Sequence, residues 1–313
     1  MKKVVVTGGA GFIGSNLADE LVREGYAVHI IDDLSNGKRE NVNPKAKLHV
    51  KSILDLKAIQ PIIKGATYVF HLAALPRVQY SIRHPIETDK ANVGGTLNVL
   101  VASVRGKVKR LIYSSSSSAY GDQKKLPLKE TFAVNPKSPY GLHKYMGELY
   151  CRLWSEVYGL PTVSLRYFNV YGPRQSAEGA YALVIAKFLK LRSEGKPLSI
   201  TGDGKQTRDF TSVHDVVRAN ILAAESKRVG RGEVINIGAG KNFSVLQIAK
   251  FIGGPIVHIP ARLEPRHTLA DTALARKLLG WKPLVTMDEG IEEIKNTLCL
   301  CGSGKKYKRC HGA

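Results

Sequence analysis

Short apolar runs alternate along this chain with stretches whose apolar positions recur at helical spacing. Runs at 3–7, 27–31, 68–72, 110–114 and 161–166 predict strands, and the periodic stretches 11–24, 92–104 and 140–158 predict the helices between them. That alternation is what βαβ units produce, so the expected fold class is α/β with a doubly wound parallel sheet. Further strands are expected at 198–201, 234–237 and 256–259. A helix at 245–251 opens on Ser244 and Gln247, a capping box, and one at 273–279 is closed by Gly280. Proline and glycine cluster around 172–180, 195–205 and 253–266, which predicts a second half dominated by loops and a smaller α/β lobe.

A chain of 313 residues, 43% of them hydrophobic, can bury a large core as one two-lobed unit or two domains. No apolar stretch approaches the length of a membrane span, and Met1-Lys2-Lys3 leads into a strand rather than a signal sequence, so a cytoplasmic protein without a membrane partner is expected. Lys and Arg outnumber Asp and Glu by 47 to 26, a net charge of +21. These cations are spread along the chain with no nucleic-acid motif, so the charge reads as solubility and a field favouring phosphorylated ligands.

The first strand candidate runs directly into Gly8-Gly9-Ala10-Gly11-Phe12-Ile13-Gly14. Glycines between a strand and a helix allow a tight turn and close approach of a pyrophosphate to the helix N-terminus, where free N–H groups and the dipole favour anions. Gly8, Gly11, Phe12, Ile13 and Gly14 are therefore candidate dinucleotide contacts. Asp32, at the end of the second strand, can accept hydrogen bonds from a ribose hydroxyl, and its charge repels the extra phosphate of NADP; NAD is the expected cofactor. Tyr140 and Lys144 are four apart, so in a helix they share a face, and an ammonium there is expected to lower the phenol's pKa from its free value near 10. Such a tyrosine can act as a base near neutrality.

These motifs, with His71-Leu72-Ala73-Ala74, the serine run before Tyr120-Gly121, Arg166–Arg174, Gln206–Phe210 and Leu278-Leu279-Gly280-Trp281-Lys282-Pro283, resemble the extended short-chain dehydrogenase/reductases. Within them the chain is most similar to the NAD-dependent nucleotide-sugar epimerases, over residues 2 to about 296. The resemblance implies Ser116, Tyr140 and Lys144 as catalytic residues and adds Ala73, Tyr140 and Lys144 to the cofactor contacts, Lys144 at the nicotinamide ribose. It implies Ser116, Asn169, Arg208 and Thr268 at the nucleotide sugar, with either Arg262 or Arg266 reaching the phosphates. The implied reaction inverts C4 of a UDP-hexose, glucose or galactose, through a 4-keto intermediate, with UDP-N-acetylglucosamine and UDP-glucuronate as alternative substrates. Related dehydratases carry Asp-Glu, and decarboxylating relatives a Glu, where this chain has Ser117-Ser118, so elimination and decarboxylation are disfavoured. Ser52-Ile53 replaces the usual Asp-Ile/Leu pair at the adenine pocket, and a small Thr268 stands where some relatives place an aromatic that excludes N-acetyl sugars.

The expected organisation is 1–168 for NAD, with 207–240 returning to it, 169–297 mainly for the nucleotide sugar, and a tail at 298–313. A homodimer is expected. In the tail, Cys299, Cys301, Cys310 and His311 offer three thiolates and an imidazole, enough to close a tetrahedral structural zinc site. Cytosolic reducing conditions favour metal over disulfide. The run resembles the zinc module at the C-terminus of the SecA translocation ATPase, which implies a protein partner. A NAD-binding interaction protein recruited through this tail is the reading of another class; an intact Ser116, Tyr140 and Lys144 argue against it. Cys151, on an apolar-rich helix, reads as a small core residue.

Overall fold

The computed structural model describes residues 1–177, 183–261 and 266–296. Its first half comprises β1 (Lys3–Thr7), α1 (Phe12–Arg23), β2 (Ala27–Asp32), β3 (Lys47–Val50), α2 (Leu56–Ile63), β4 (Tyr68–His71), α3 (Val78–Arg83), α4 (Pro85–Asp89), a π turn (Lys90–Gly94) leading into α5 (Gly95–Arg105), β5 (Arg110–Ser116), α6 (Pro139–Tyr158) and β6 (Thr162–Tyr167). There follow β7 (Val170–Tyr171), α7 (Val184–Ser193), β8 (Leu198–Thr201), β9 (Thr207–Asp209), β10 (Thr211–Ser212), α8 (Val213–Glu225), β11 (Arg231–Ile237), β12 (Asn242–Ser244), α9 (Val245–Ile252), β13 (Ile256–Ile259), α10 (Ala273–Leu279) and α11 (Met287–Asn296).

Seven strands form one sheet in the order β11-β6-β5-β4-β1-β2-β3, every pairing parallel, which is a Rossmann-like sheet. Both faces are covered, which is why its inner strands read as continuous apolar runs. Successive residues still take opposite sides: Val4 and Val6 pack with α1, α8 and α10, while Val5 packs with α2, α5 and α6. A second core lies among β8, α7, α9 and α11, where Ile185, Phe188, Leu198, Ile200, Ile248 and Ile291 meet. Fully buried Trp281 closes the first core, its indole N–H donating to the Asp215 carbonyl at 2.9 Å, while the Asp215 carboxylate accepts the Leu284 and Val285 amides.

Local signals set the helix ends. Ser138 caps α6 through the Gly141 N–H at 3.1 Å, Pro139 occupies its first turn, and Gly159 ends it at φ +64°. Ser244 and Gln247 form the expected capping box, and Gly280 closes α10 in the left-handed region at φ +65°. The expectation of a loop-dominated second half is corrected by α7, α8 and α11. Missed in the first half were β3, a partly exposed edge strand, α2, which carries Pro61 internally, and the short helices α3 and α4. No helix among the described residues is long and apolar enough to cross a membrane.

Candidate active site

The parallel strands deliver their carboxyl ends to one edge of the sheet. Because the chain leaves β1 toward β2 on one side and β4 lies on the other, the strand order reverses there, the position where a crevice opens in such sheets. Gly8 leaves β1 at φ +72°, a left-handed turn, and a Cβ on it would stand 2.7 Å from the Ala73 amide nitrogen just past β4. A Cβ on Gly14 would overlap the Gly8 carbonyl oxygen. Gly11 caps α1 without a side chain, so the first-turn N–H groups at Phe12, Ile13 and Gly14 remain open at the helix N-terminus.

Asp32 stands at the end of the adjacent strand, its carboxylate held by the Ala10 and Leu34 amides, each at 2.9 Å. Burial pushes its pKa up, against the lowering by those two N–H bonds. The glycine cradle, bare helix N-terminus and anchored carboxylate fit the diphosphate and ribose of a dinucleotide. Ser52, at the expected adenine side, is engaged in its own turn, accepting the Leu54 N–H on Oγ and the Asp55 N–H on its carbonyl.

The wall between cradle and reacting centre is an ordered relay. The Ala73 N–H donates to Thr7 Oγ1 at 3.2 Å, Thr7 Oγ1 lies 2.7 Å from His71 Nδ1, and His71 Nε2 lies 2.9 Å from Thr96 Oγ1. Since the Thr96 hydroxyl gives its hydrogen to the Asn92 carbonyl at 2.6 Å, His71 must donate from Nε2 and accept at Nδ1. Burial, with Lys144 nearby, pushes the His71 pKa down to about 3, so the ring is neutral.

Strand β5 runs two residues beyond its expected end and delivers Ser116 to the same edge, opposite Tyr167 of β6. Ser116 Oγ caps a 3-10 turn (Ser117–Ala119) through the Ser118 N–H at 3.1 Å. Helix α6 meets this turn so closely that a Cβ on Gly141 would stand 2.6 Å from the Ser118 carbonyl oxygen. Tyr140 is thereby brought beside Ser116, whose hydroxyl lowers the phenol's pKa and itself lies 3.1 Å from Ser118 Oγ. Lys144 is buried, its Nζ donating to the Ser114 carbonyl at 2.7 Å and lying 6.0 Å from the centre of the Tyr140 ring.

One expectation is corrected here. The Tyr140 pKa is raised, because burial outweighs all else, and the group that lowers it is the Ser116 hydroxyl. Burial also pushes Lys144 down to about 8, against the attraction of Glu148. The spacing of Tyr140 and Lys144 puts them on one helix face, but the ammonium's bond goes to a strand carbonyl.

Asn169 lies just past β6 at φ +24°, its Nδ2 donating to the Asp209 carbonyl at 3.2 Å and reaching Thr268 Oγ1 at 3.5 Å. Thr268 also accepts the Asp209 N–H, so the structure brings Asn169 and Thr268 together. Buried Asp209 pins the surrounding loops by accepting the Ala239, Gly240 and Ala270 amides at 2.7 to 3.0 Å, while burial raises its pKa to about 6. Arg208 Nη1 donates to its neighbouring Thr207 carbonyl at 2.9 Å, and Arg266 is exposed and paired with Asp203 at 2.8 Å. Arg262 and the cluster Cys299, Cys301, Cys310 and His311 lie outside the described residues.

Sequence reasoning passed over Glu148 and Arg166, a buried ion pair beside this centre. A carboxylate one turn after Lys144 on an otherwise apolar helix face was the available signal.

The NAD dependent epimerase/dehydratase family model matches residues 4–238, and the SEC-C motif matches 296–313. A putative UDP-glucose 4-epimerase of Methanocaldococcus jannaschii is 38% identical over 94% of this chain and 97% of its own length. A UDP-N-acetyl-alpha-D-glucosaminuronate decarboxylase of Bacillus cytotoxicus is 35% identical over 93% and 96%. Among solved structures, UDP-glucose 4-epimerase from Thermotoga maritima with UDP-glucose superposes with a TM-score of 0.88 at 40% identity, covering 93% of this chain and 96% of that one.

Proposed function

The chain belongs to the NAD dependent epimerase/dehydratase family, and from that membership we propose that it is a NAD-dependent enzyme inverting C4 of a UDP-hexose, UDP-glucose and UDP-galactose being the first choice. UDP-N-acetylglucosamine and UDP-glucuronate are the alternatives. The observation that carries the reading is the meeting of Ser116, Tyr140 and Lys144 at a strand end whose next residues are Ser117 and Ser118. Hydroxyls there cannot serve as the carboxyl acid and base that elimination needs, which separates this chain from decarboxylating relatives at similar identity.

Gly8, Gly11, Phe12, Ile13, Gly14, Asp32 and Ala73 would hold NAD, with the diphosphate at the α1 N-terminus and the ribose on Asp32. When bound, NAD supplies the acceptor and later donor of the C4 hydride and, oxidised, a positive charge. Tyr140 takes the O4 proton and returns it, and the Ser116 hydroxyl holds O4 through the exchange. Lys144 keeps a positive charge beside the phenol. Asn169 and Thr268 would face the sugar, with Arg208 and one of Arg262 and Arg266 on the diphosphate. In this division 1–168 and 207–240 serve NAD and 169–297 the nucleotide sugar.

A homodimer is part of the proposal. Leu142, Leu149, Leu153 and Val157 form an exposed apolar stripe, 43 to 63% accessible, along one face of the twenty-residue α6. Sedimentation at the monomer mass would reject it. The tail's three thiolates and imidazole suit one structural zinc ion, which uses all four ligands and leaves no catalytic position, so the tail is assigned to a protein partner. Thiolates kept reduced fit a cytoplasmic setting.

The test is an activity panel of UDP-, dTDP- and GDP-sugars on the purified full chain, with its nicotinamide content measured beforehand. C4 inversion of a UDP-hexose without loss of water or carbon dioxide is expected. Dehydration, decarboxylation, or a preference for NADP would overturn the reading.

A further inference from the structure

Behind the reacting edge, two charged side chains are almost completely withdrawn from solvent. Glu148 and Arg166 are each 2% exposed, with Arg166 Nε donating to Oε1 at 2.8 Å and Nη2 to Oε2 at 2.6 Å. Ser115 Oγ also donates to Oε1. The guanidinium lies 4.4 Å from the centre of the Tyr120 ring, and its Nη1 has no hydrogen-bond partner among the described residues. A buried pair of this kind contributes little net stability compared with apolar side chains of the same size, so stability alone is a weak account of it.

Its placement suggests a use. Glu148 follows Lys144 by four residues on α6 and so shares its face. Three consecutive residues of β5 divide the work: the Ser114 carbonyl takes the Lys144 ammonium, the Ser115 hydroxyl takes Glu148, and Ser116 meets Tyr140. The titratable groups around Lys144 come from several elements. On α6 these are Tyr140 and His143, the latter 3.6 Å from Asp89, together with Cys151; β5 adds Tyr113 and β4 adds His71. Burial keeps the Tyr113 phenol and the Cys151 thiol protonated and the imidazoles uncharged at neutral pH, and it raises the pKa of Tyr140. Asp89 is half exposed, which leaves the Glu148 carboxylate as the buried counter-charge.

We propose that Glu148 is a positioning residue for Lys144: its carboxylate, fixed by Arg166 and Ser115, compensates the buried ammonium and keeps it charged on the Ser114 carbonyl. This rests on the reading of Lys144 as a group that acts beside Tyr140. Glu148 does not touch the sugar, so its effect should appear in kcat and leave KM nearly unchanged.

The direct test is a titration of the Lys144 side chain by NMR in the full chain with isotope-labelled lysine, the signal assigned by its loss in Lys144→Met. The unmodified protein should show a midpoint near 8. Glu148→Gln should move it to lower pH and carry the alkaline limb of kcat with it, whereas Glu148→Asp, which retains the charge, should restore both. If Glu148→Gln does not fold, Glu148→Met with Arg166→Met removes both charges and leaves no unpaired guanidinium; the midpoint should again fall. An unchanged Lys144 midpoint in either folded variant overturns the proposal. Failure of the catalytic reading is a separate outcome, shown by full activity in Tyr140→Phe, and it leaves the NMR result intact.

Discussion

At the scale of single residues, the proposed mechanism asks Tyr140 to move a proton from a site whose burial favours the protonated phenol. A group in that position depends on what neighbours it, and the Ser116 hydroxyl is the neighbour that favours ionisation. Tyr140→Phe removes the phenol while leaving the ring, so it should retain NAD and lose C4 inversion by at least about a hundredfold, the lower end for loss of a general base. Turnover near that of the unmodified enzyme would reject the assignment; Ser116→Ala should be damaging but milder. Lys144 carries its charge below about 8 and loses it above. A pH profile should therefore fall on the alkaline side as pH rises through about 8, and a rate that stays level well beyond that point would show that the ammonium is not needed. Spacing made Tyr140 and Lys144 legible in the sequence. The direction of the phenol's shift was not, because it depends on how much water the surrounding lobes exclude.

Elements meet at distances that only backbone allows. The β1–α1 turn closes against β4 because Gly8 and Gly14 bring no side chain: one occupies a left-handed turn, and the other packs on the first one's carbonyl. Gly14→Ala forces α1 away from the turn, a change of the overpacking kind that typically costs about 1–3 kcal/mol. The larger consequence should be functional, since the helix N-terminus moves with it. Purified Gly14→Ala is expected to be folded by circular dichroism yet to carry no nicotinamide, and a normal nicotinamide content would contradict the assigned cradle. The same closeness recurs where Gly147 of α6 lets the helix approach Tyr113 of β5, which helps set Lys144 on its carbonyl. Strand and helix existence came from periodicity and caps. Register, the extension of β5 to Ser116, and the π turn before α5 did not, because pairing partners distant in sequence decide them.

For the whole molecule, the described cores close without the tail: the last apolar side chains packed into them are Ile291 and Ile294 of α11. Truncation after Thr297 should accordingly abolish zinc binding, about one ion per chain in the intact protein, while leaving NAD content and turnover unchanged. A truncated protein that stays folded and NAD-bound but loses turnover would place the tail in the active site. The sequence alone determined the alternating α/β class, the glycine cradle with Asp32, the pair Tyr140 and Lys144, and the clustering of Cys299, Cys301, Cys310 and His311 in the tail, since each is written in contiguous residues or short periodic spacing. Tertiary structure decided that α8 covers the large sheet and β11 joins it beside β6, that Thr268 meets Asn169 across 99 residues of chain, and that Glu148 lies buried against Arg166. Those pairings rest on burial and on partners far apart in the chain, and a residue's own neighbours carry no record of which distant group will exclude water from it.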